Sequence, residues 1–147
     1  METNRAGRLM TEGHVCAESV LLAVCQELDI EIDEKLIPRV AFGFAGGIGN
    51  TGSVCGAVAG AVMAIALARE RGETMEDFMA DLALVEKFRC RFEAEAGAIN
   101  CRDLTGLDLT TQEGVEELMS SDIPQRVCFP AVNRAYTMAL ELLNETG

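Results

Sequence analysis

The chemistry in this sequence lies in its cysteines. Six occur in 147 residues, at Cys16, Cys25, Cys55, Cys90, Cys101 and Cys128. No two make a C-x-x-C pair, a haem-attachment motif or a zinc-finger pair, so a shared site must be assembled by the fold from remote positions. Local context divides the six. Cys16 opens the first long predicted helix, Cys55 lies in the first turn of the third, Cys101 follows a capping Asn100, and Cys128 lies two residues before Pro130, where the last helix is expected to begin. Free N–H groups and the positive dipole end at such positions favour thiolate, the form that ligates metal or attacks a disulfide, and predict a lowered pKa. Cys25 and Cys90 fall inside predicted helices and read as small packing residues. Cys25 is nine residues beyond Cys16, which turns the two side chains to opposite helix faces. His14, the single histidine, is open to three readings: a ligand, a proton carrier or, the one favoured, an exposed polar residue ahead of a helix.

Glycines gather just before Cys55, at Gly43, Gly46, Gly47, Gly49 and Gly52. Gly47 to Gly52 satisfies G-x-G-x-x-G, and Arg39 to Phe44 ahead of it passes for a strand. A dinucleotide site also needs a second strand after the helix, and Thr74 to Phe78 reads as helix instead. Nucleotide binding is therefore set aside. Two readings remain: glycines that permit positive φ and close backbone packing, or Gly46, Gly47 and Gly49 offering backbone N–H groups to an anionic centre.

The elements that must position these residues read as helices throughout. The polar lead-in from Met1 to Thr11, bounded by Gly13, is either frayed or helical. Val20, Leu21, Val24 and Leu28 give helical spacing over His14 to Leu28, and Asp29 to Asp33 breaks it. A second helix reads over Glu34 to Phe44; Pro38 leaves its start open and suits the first turn of a helix that begins in earnest near Ile37. Ser53 is the expected N-cap of a third, Val54 to Arg71, closed by Gly72. Thr74 with Asp77 opens a fourth that runs to Ala96 and stops at Gly97. Asn100 caps a single turn, Cys101 to Thr105, closed by Gly106. Thr110 with Glu113 opens a short helix ending near Met119, Pro124 marks a loop, and the last helix runs from Pro130 to Asn144. No segment alternates with period two. The expected fold class is all-α: an irregular bundle of five main helices plus short helical turns, with a glycine-rich loop before the third helix, in one domain over residues 1–147. Gly56, Gly60, Ala64 and Ala68 line one face of the third helix, for tight packing in the core or for a dimer seam.

Composition agrees and excludes. Hydrophobic residues make up 49% and aromatics only 5%, with no Trp, so the core is built from Ala, Val, Leu, Ile and Met, a helical palette. A net charge of −12 repels phosphate backbones and anionic lipid, which argues against nucleic acid as a partner. The longest apolar run, Val54 to Ala68, is too short for membrane insertion. Met1 to His14 has no apolar export core and no twin-Arg pair, so a cytoplasmic protein is expected. In that reducing compartment, six cysteines point to metal, cluster or redox chemistry rather than disulfides.

Cys55-Gly56-Ala57-Val58-Ala59-Gly60 reads C-G-A-x-x-G. With Cys16 upstream and Cys101 and Cys128 downstream, the chain resembles the C_GCAxxG_C_C family of putative redox-active proteins. Supporting stretches are Cys16 to Leu21, Phe44 to Gly49 and Ile99 to Leu104, and the resemblance spans His14 to Leu143. It implies a small helical protein with a metal centre, an iron–sulfur cluster or a redox dithiol on four cysteines. The similarity of the cluster-bearing part of split-Soret cytochromes favours iron–sulfur. Cys25 and Cys90 lie outside the four-cysteine pattern. The leading expectation is electron transfer or redox sensing through a cluster on Cys16, Cys55, Cys101 and Cys128, with hydrogen bonds from the glycine loop to its sulfurs and a redox partner protein. The alternatives are a metal-free thiol–disulfide oxidoreductase, with Cys55 attacking and Cys101 or Cys128 resolving, and a structural zinc site on the four thiolates. Enzyme status and a homodimer are left open.

Overall fold

A computed structural model describes residues 3–146. Met1 and Glu2, part of the expected lead-in, and Gly147 lie outside the described residues. Helices carry the fold, and among the described residues the single β feature is an isolated antiparallel bridge between Val54 and Asn100. In chain order the helices are α1 (Arg5–Thr11), α2 (Cys16–Glu27), α3 (Leu36–Ala41), a short turn α4 (Ala45–Ile48), α5 (Gly56–Arg69), α6 (Met75–Ala96), α7 (Cys101–Thr105), α8 (Gln112–Ser120) and α9 (Phe129–Thr146). A 3-10 turn, Phe42–Phe44, joins α3 to α4, and a π-helical turn, Pro124–Cys128, leads into α9.

Local chemistry sets most boundaries. Asn4 caps α1 by accepting from the N–H groups of Ala6 and Gly7, so the lead-in is helical from Arg5. Thr74 caps α6 through the Asp77 N–H, and Gly97 ends it at φ +92°. Along α6, Arg89 pairs with Glu93 and Arg91 with Glu95, each one turn on.

α2 and α5 make the closest helix pair, because α5 turns its small residues to α2. A Cβ at position 60 would lie 2.5 Å from the Ala17 carbonyl oxygen. Gly56, Gly60 and Ala64 thus form an internal packing seam, and Ala68, the fourth residue of that face, is partly buried against the same core. α9 packs on both helices through Val132, Ala135, Tyr136, Ala139, Leu142 and Leu143, and α1 lies across α2 and α9. A second, smaller apolar cluster of Leu107, Leu109 and Ile123, joined by Val115, Leu118 and Val127, sits apart from this core and packs against Cys101.

Several expected boundaries shift. The second helix starts at Leu36 rather than Glu34, and Arg39 to Phe44 is helical as expected, so no strand precedes the G-x-G-x-x-G run. The N-cap of α5 is Cys55 rather than Ser53, and its left-handed end is Glu70 rather than Gly72. α8 is capped by Thr111, one residue beyond Thr110. Thr110 instead donates its backbone N–H to the Asp108 carboxylate. Pro124 is not in a loop. It starts the π-helical turn, so the last helix begins before Pro130. Pro130 has no N–H to donate, and the wider π turn is a place where a missing i→i−4 bond is accommodated. Cys90 is exposed on α6 rather than packed, whereas Cys25 is buried in the core.

Candidate metal centre

Four elements bring Cys16, Cys55, Cys101 and Cys128 to the wall of one cavity of about 440 Å³. Cys16 is the first residue of α2, Cys55 the N-cap of α5, Cys101 the first residue of α7 and Cys128 the last of the π turn. Cys25 and Cys90 are not among its lining residues.

Two devices assemble the quartet. Gly56 has no Cβ because the Cys16 thiol occupies that space: a Cβ built there would sit closer to Cys16 Sγ than real Cβ atoms approach any neighbour. The second is a short antiparallel pairing. The Cys55 N–H donates to the Ile99 carbonyl at 2.7 Å, the Cys101 N–H to Ser53 at 2.7 Å and the Arg102 N–H to Gly52 at 3.2 Å. These bonds clamp the start of α5 to the start of α7 and fix Cys55 beside Cys101.

The glycine run is shaped for this clamp. Gly46, Gly47, Ile48, Gly49 and Asn50 all have φ between +61° and +74°, a left-handed turn that L-residues avoid. It reverses the chain and seats Gly47 against Cys101, where a Cβ would lie 2.8 Å from the cysteine Cβ and 2.5 Å from the Ser53 carbonyl oxygen. The expected hydrogen bonds from this run to cluster sulfurs do not hold for Gly49. Its N–H donates to the Gly43 carbonyl, and those of Asn50, Gly52 and Ser53 donate to Ala45, Gly46 and Gly47. Gly46 lines the cavity, Gly47 makes room for Cys101, and Gly49 does neither.

The expectation of lowered thiol pKa values is overturned. Burial first, then the neighbouring Cys55 and Cys128, push Cys16 up to about 12. Burial and Cys55 take Cys101 up to about 11, and burial with Cys101 and Cys55 takes Cys128 up to about 12. Burial also raises Cys55. The helix-start effect is present but smaller: the N–H groups of Ala57 and Val58 draw Cys55 down, and that of Ala17 draws Cys16 down. Desolvation and mutual repulsion outweigh it. Every pair within the quartet is close enough for one thiolate to disfavour the next. Without a cation the thiols are therefore protonated at neutral pH. A bound cation reverses that balance, because ligating thiols lose their protons.

Apolar side chains from the smaller cluster cover the cavity, among them Leu109, Leu118 and Val127, with Met10 and Met119 at its wall. His14 also lines it and is half-buried rather than exposed, with Nδ1 3.5 Å from the Glu18 carboxylate. Thr105, which the cysteine pattern did not suggest, lines the cavity one turn after Cys101, and its hydroxyl lowers that thiol slightly against the rise. Its i+4 spacing was the available signal. Leu118 and Met119 carried no sequence signal, since only the folding-back of α8 brings them here.

The donor set suits a soft metal or a metal–sulfur centre: four thiols, apolar walls and no carboxylate at the wall. Among the described residues, no three His, Cys, Asp or Glu side chains close in tightly enough to hold a single metal ion. No helix among them is long and apolar enough to cross a membrane.

Residues 14–142 match the family described as "Putative redox-active protein (C_GCAxxG_C_C)". An uncharacterized protein of Archaeoglobus fulgidus is 30% identical over 150 residues, which cover 96% of this chain and 92% of that protein. No solved structure matches. With the match running from His14 through all four cavity cysteines into α9, the chain belongs to the C_GCAxxG_C_C family of putative redox-active proteins.

Proposed function

We propose that this protein transfers or senses electrons through an iron–sulfur cluster held by Cys16, Cys55, Cys101 and Cys128. The observation that carries the reading is that these four thiols, from four separate elements, line a single apolar cavity. A lone zinc ion needs all four sulfurs within about 2.3 Å of one point. A cluster would spread the four thiolates over two or four irons and so would accept a wider quartet. The raised thiols count against the dithiol alternative, which needs one readily formed thiolate.

When bound, the cluster supplies one-electron chemistry. The chain does the rest. The Ala17 N–H at Cys16 and the Ala57 and Val58 N–H groups at Cys55 favour the thiolate form that a bound cluster would require, against the burial that raises both thiols. Leu109, Leu118 and Val127 keep water away, and burial of this kind is one determinant of potential. The reading takes the protein to work in a reducing compartment such as the cytoplasm, where thiols stay free, with a redox partner protein.

The test is anaerobic purification and reconstitution. A brown protein with visible charge-transfer bands and matching iron and sulfide is expected. A colourless chain that binds zinc alone, or no metal after reconstitution, rejects the proposal.

A further inference from the structure

The segment that covers the thiol cavity is joined to the rest of the molecule unlike any other long element. Residues 107–120 run between two conformational breaks, Gly106 at φ +73° and Ser121, which is extended after α8. Within the segment, hydrogen bonds tie the turn to the helix. The Thr111 N–H and hydroxyl both donate to the Asp108 carbonyl, at 3.2 Å and 2.8 Å. The Gly114 N–H donates to Thr111 Oγ1 at 3.0 Å, and the Ser120 hydroxyl to the Glu116 carbonyl at 2.7 Å. Gly114 lacks a Cβ where one would run into the Asp108 carbonyl, which locks the start of α8 onto the preceding turn.

Toward the rest of the molecule the picture reverses. Among the described residues, every hydrogen bond made by residues 107–120 ends within 105–121, and none of their side chains joins an ion pair. Attachment is apolar: Leu107, Leu109, Val115 and Leu118 against Ile123, Val127 and Cys101, a cluster separate from the main core. Arg102 faces Asp108 without an ion pair and adds least to lowering that carboxyl, after its two bonds from Thr110. A unit with its own hydrogen bonds and a small apolar attachment opens at lower cost than the helices it rests on.

We infer that residues 107–120 are a hinged lid over the thiol cavity, turning about Gly106 and Ser121 as one body. Opening withdraws Leu109, Leu118 and Met119 from the cavity wall and admits the occupant; closing restores the dry wall. What enters follows from the proposed cluster, namely iron and sulfide or a preformed cluster. The hinge itself rests only on the cavity and is testable without metal.

The experiment uses the full chain, reduced and stripped of metal, pulsed with a bulky maleimide and mapped by mass spectrometry. Three thiols act as reporters: Cys55 is 8% exposed in the cavity, Cys25 is 2% exposed in the core, and Cys90 is exposed. Leu118→Ala should speed labelling of Cys55 by roughly tenfold or more, from lost lid packing, with Cys25 and Cys90 unchanged. If Cys55 labels no faster, or Cys25 accelerates in parallel, opening is not local and the lid is rejected. Hydrogen exchange on the unaltered chain gives a second decision. The α8 amides should exchange well before those of α2 and α5, and equal protection would overturn the inference.

Discussion

Gly56 and Cys16 share one space: the thiol of the first residue of α2 fills the volume that a Cβ on the first residue of α5 would need. Gly56→Ala therefore forces the two helix starts apart or turns the Cys16 side chain out of the cavity. We expect a loss of about 1–3 kcal/mol in stability, the usual cost of overpacking, even though alanine favours the helix by ~1 kcal/mol. Urea unfolding measures the first effect. Iron per chain after reconstitution measures the second, which should fall severalfold.

The six cysteines should divide sharply. If the proposed cluster is present, serine at 16, 55, 101 or 128 should each abolish or strongly bleach its visible spectrum. Cys90→Ser, at an exposed site on α6, should leave both spectrum and stability unchanged. Cys25→Ser buries a hydroxyl in the core and should cost about 1–3 kcal/mol while the spectrum stays. A full spectrum in any variant of the quartet would mean that a different set of thiols holds the centre.

Two neighbouring glycines should behave differently. Gly49→Ala adds a Cβ into open space at φ +61°, so only backbone strain of about 1–2 kcal/mol is expected, with the centre kept. Gly47→Ala adds the same strain and also collides with Ser53 and Cys101, so metal loading should fall as well. Unfolding curves and iron content for the pair separate strain from displacement.

The thiols also set a pH dependence for the metal-free chain. Their folded pKa values lie above the ordinary thiol value, reaching about 12 at Cys16 and Cys128. The folded chain therefore holds protons that the unfolded chain, with thiols near 8.5, gives up. Stability is fully present below that pH and is lost as pH rises toward 12, by at most about 1.4 kcal/mol per pH unit for each thiol. Urea unfolding at pH 7.5 and pH 10 should show the decline, and Cys16→Ser should make it shallower. A flat profile would place the thiols in water rather than in the cavity.

Much of the helical framework was legible because its signals are local. Thr74 with Asp77, Gly97 and Gly106 act within a few residues of themselves and stand where the sequence put them, and Asn100 holds the expected N-cap position although its side chain makes no capping bond. So does the small-residue face of α5, whose spacing specified close approach but not its partner. The errors came where distant packing arbitrates. Pro124 and Pro130 bracket a continuous helical path rather than a loop and a start, because α9 is held by the core and a π turn absorbs the proline.

The cysteines show the same division. Sequence alone marked Cys16, Cys55, Cys101 and Cys128 by their positions near helix starts, and that local amide effect is present at Cys16 and Cys55. Their meeting was decided by tertiary structure, through the Gly56 seam and the pairing of residues 53–55 with 99–101. The direction of their pKa shifts was decided there too. A helix start acts over one turn of backbone, whereas desolvation and repulsion among four thiols arise only when remote segments close around a common, water-poor volume.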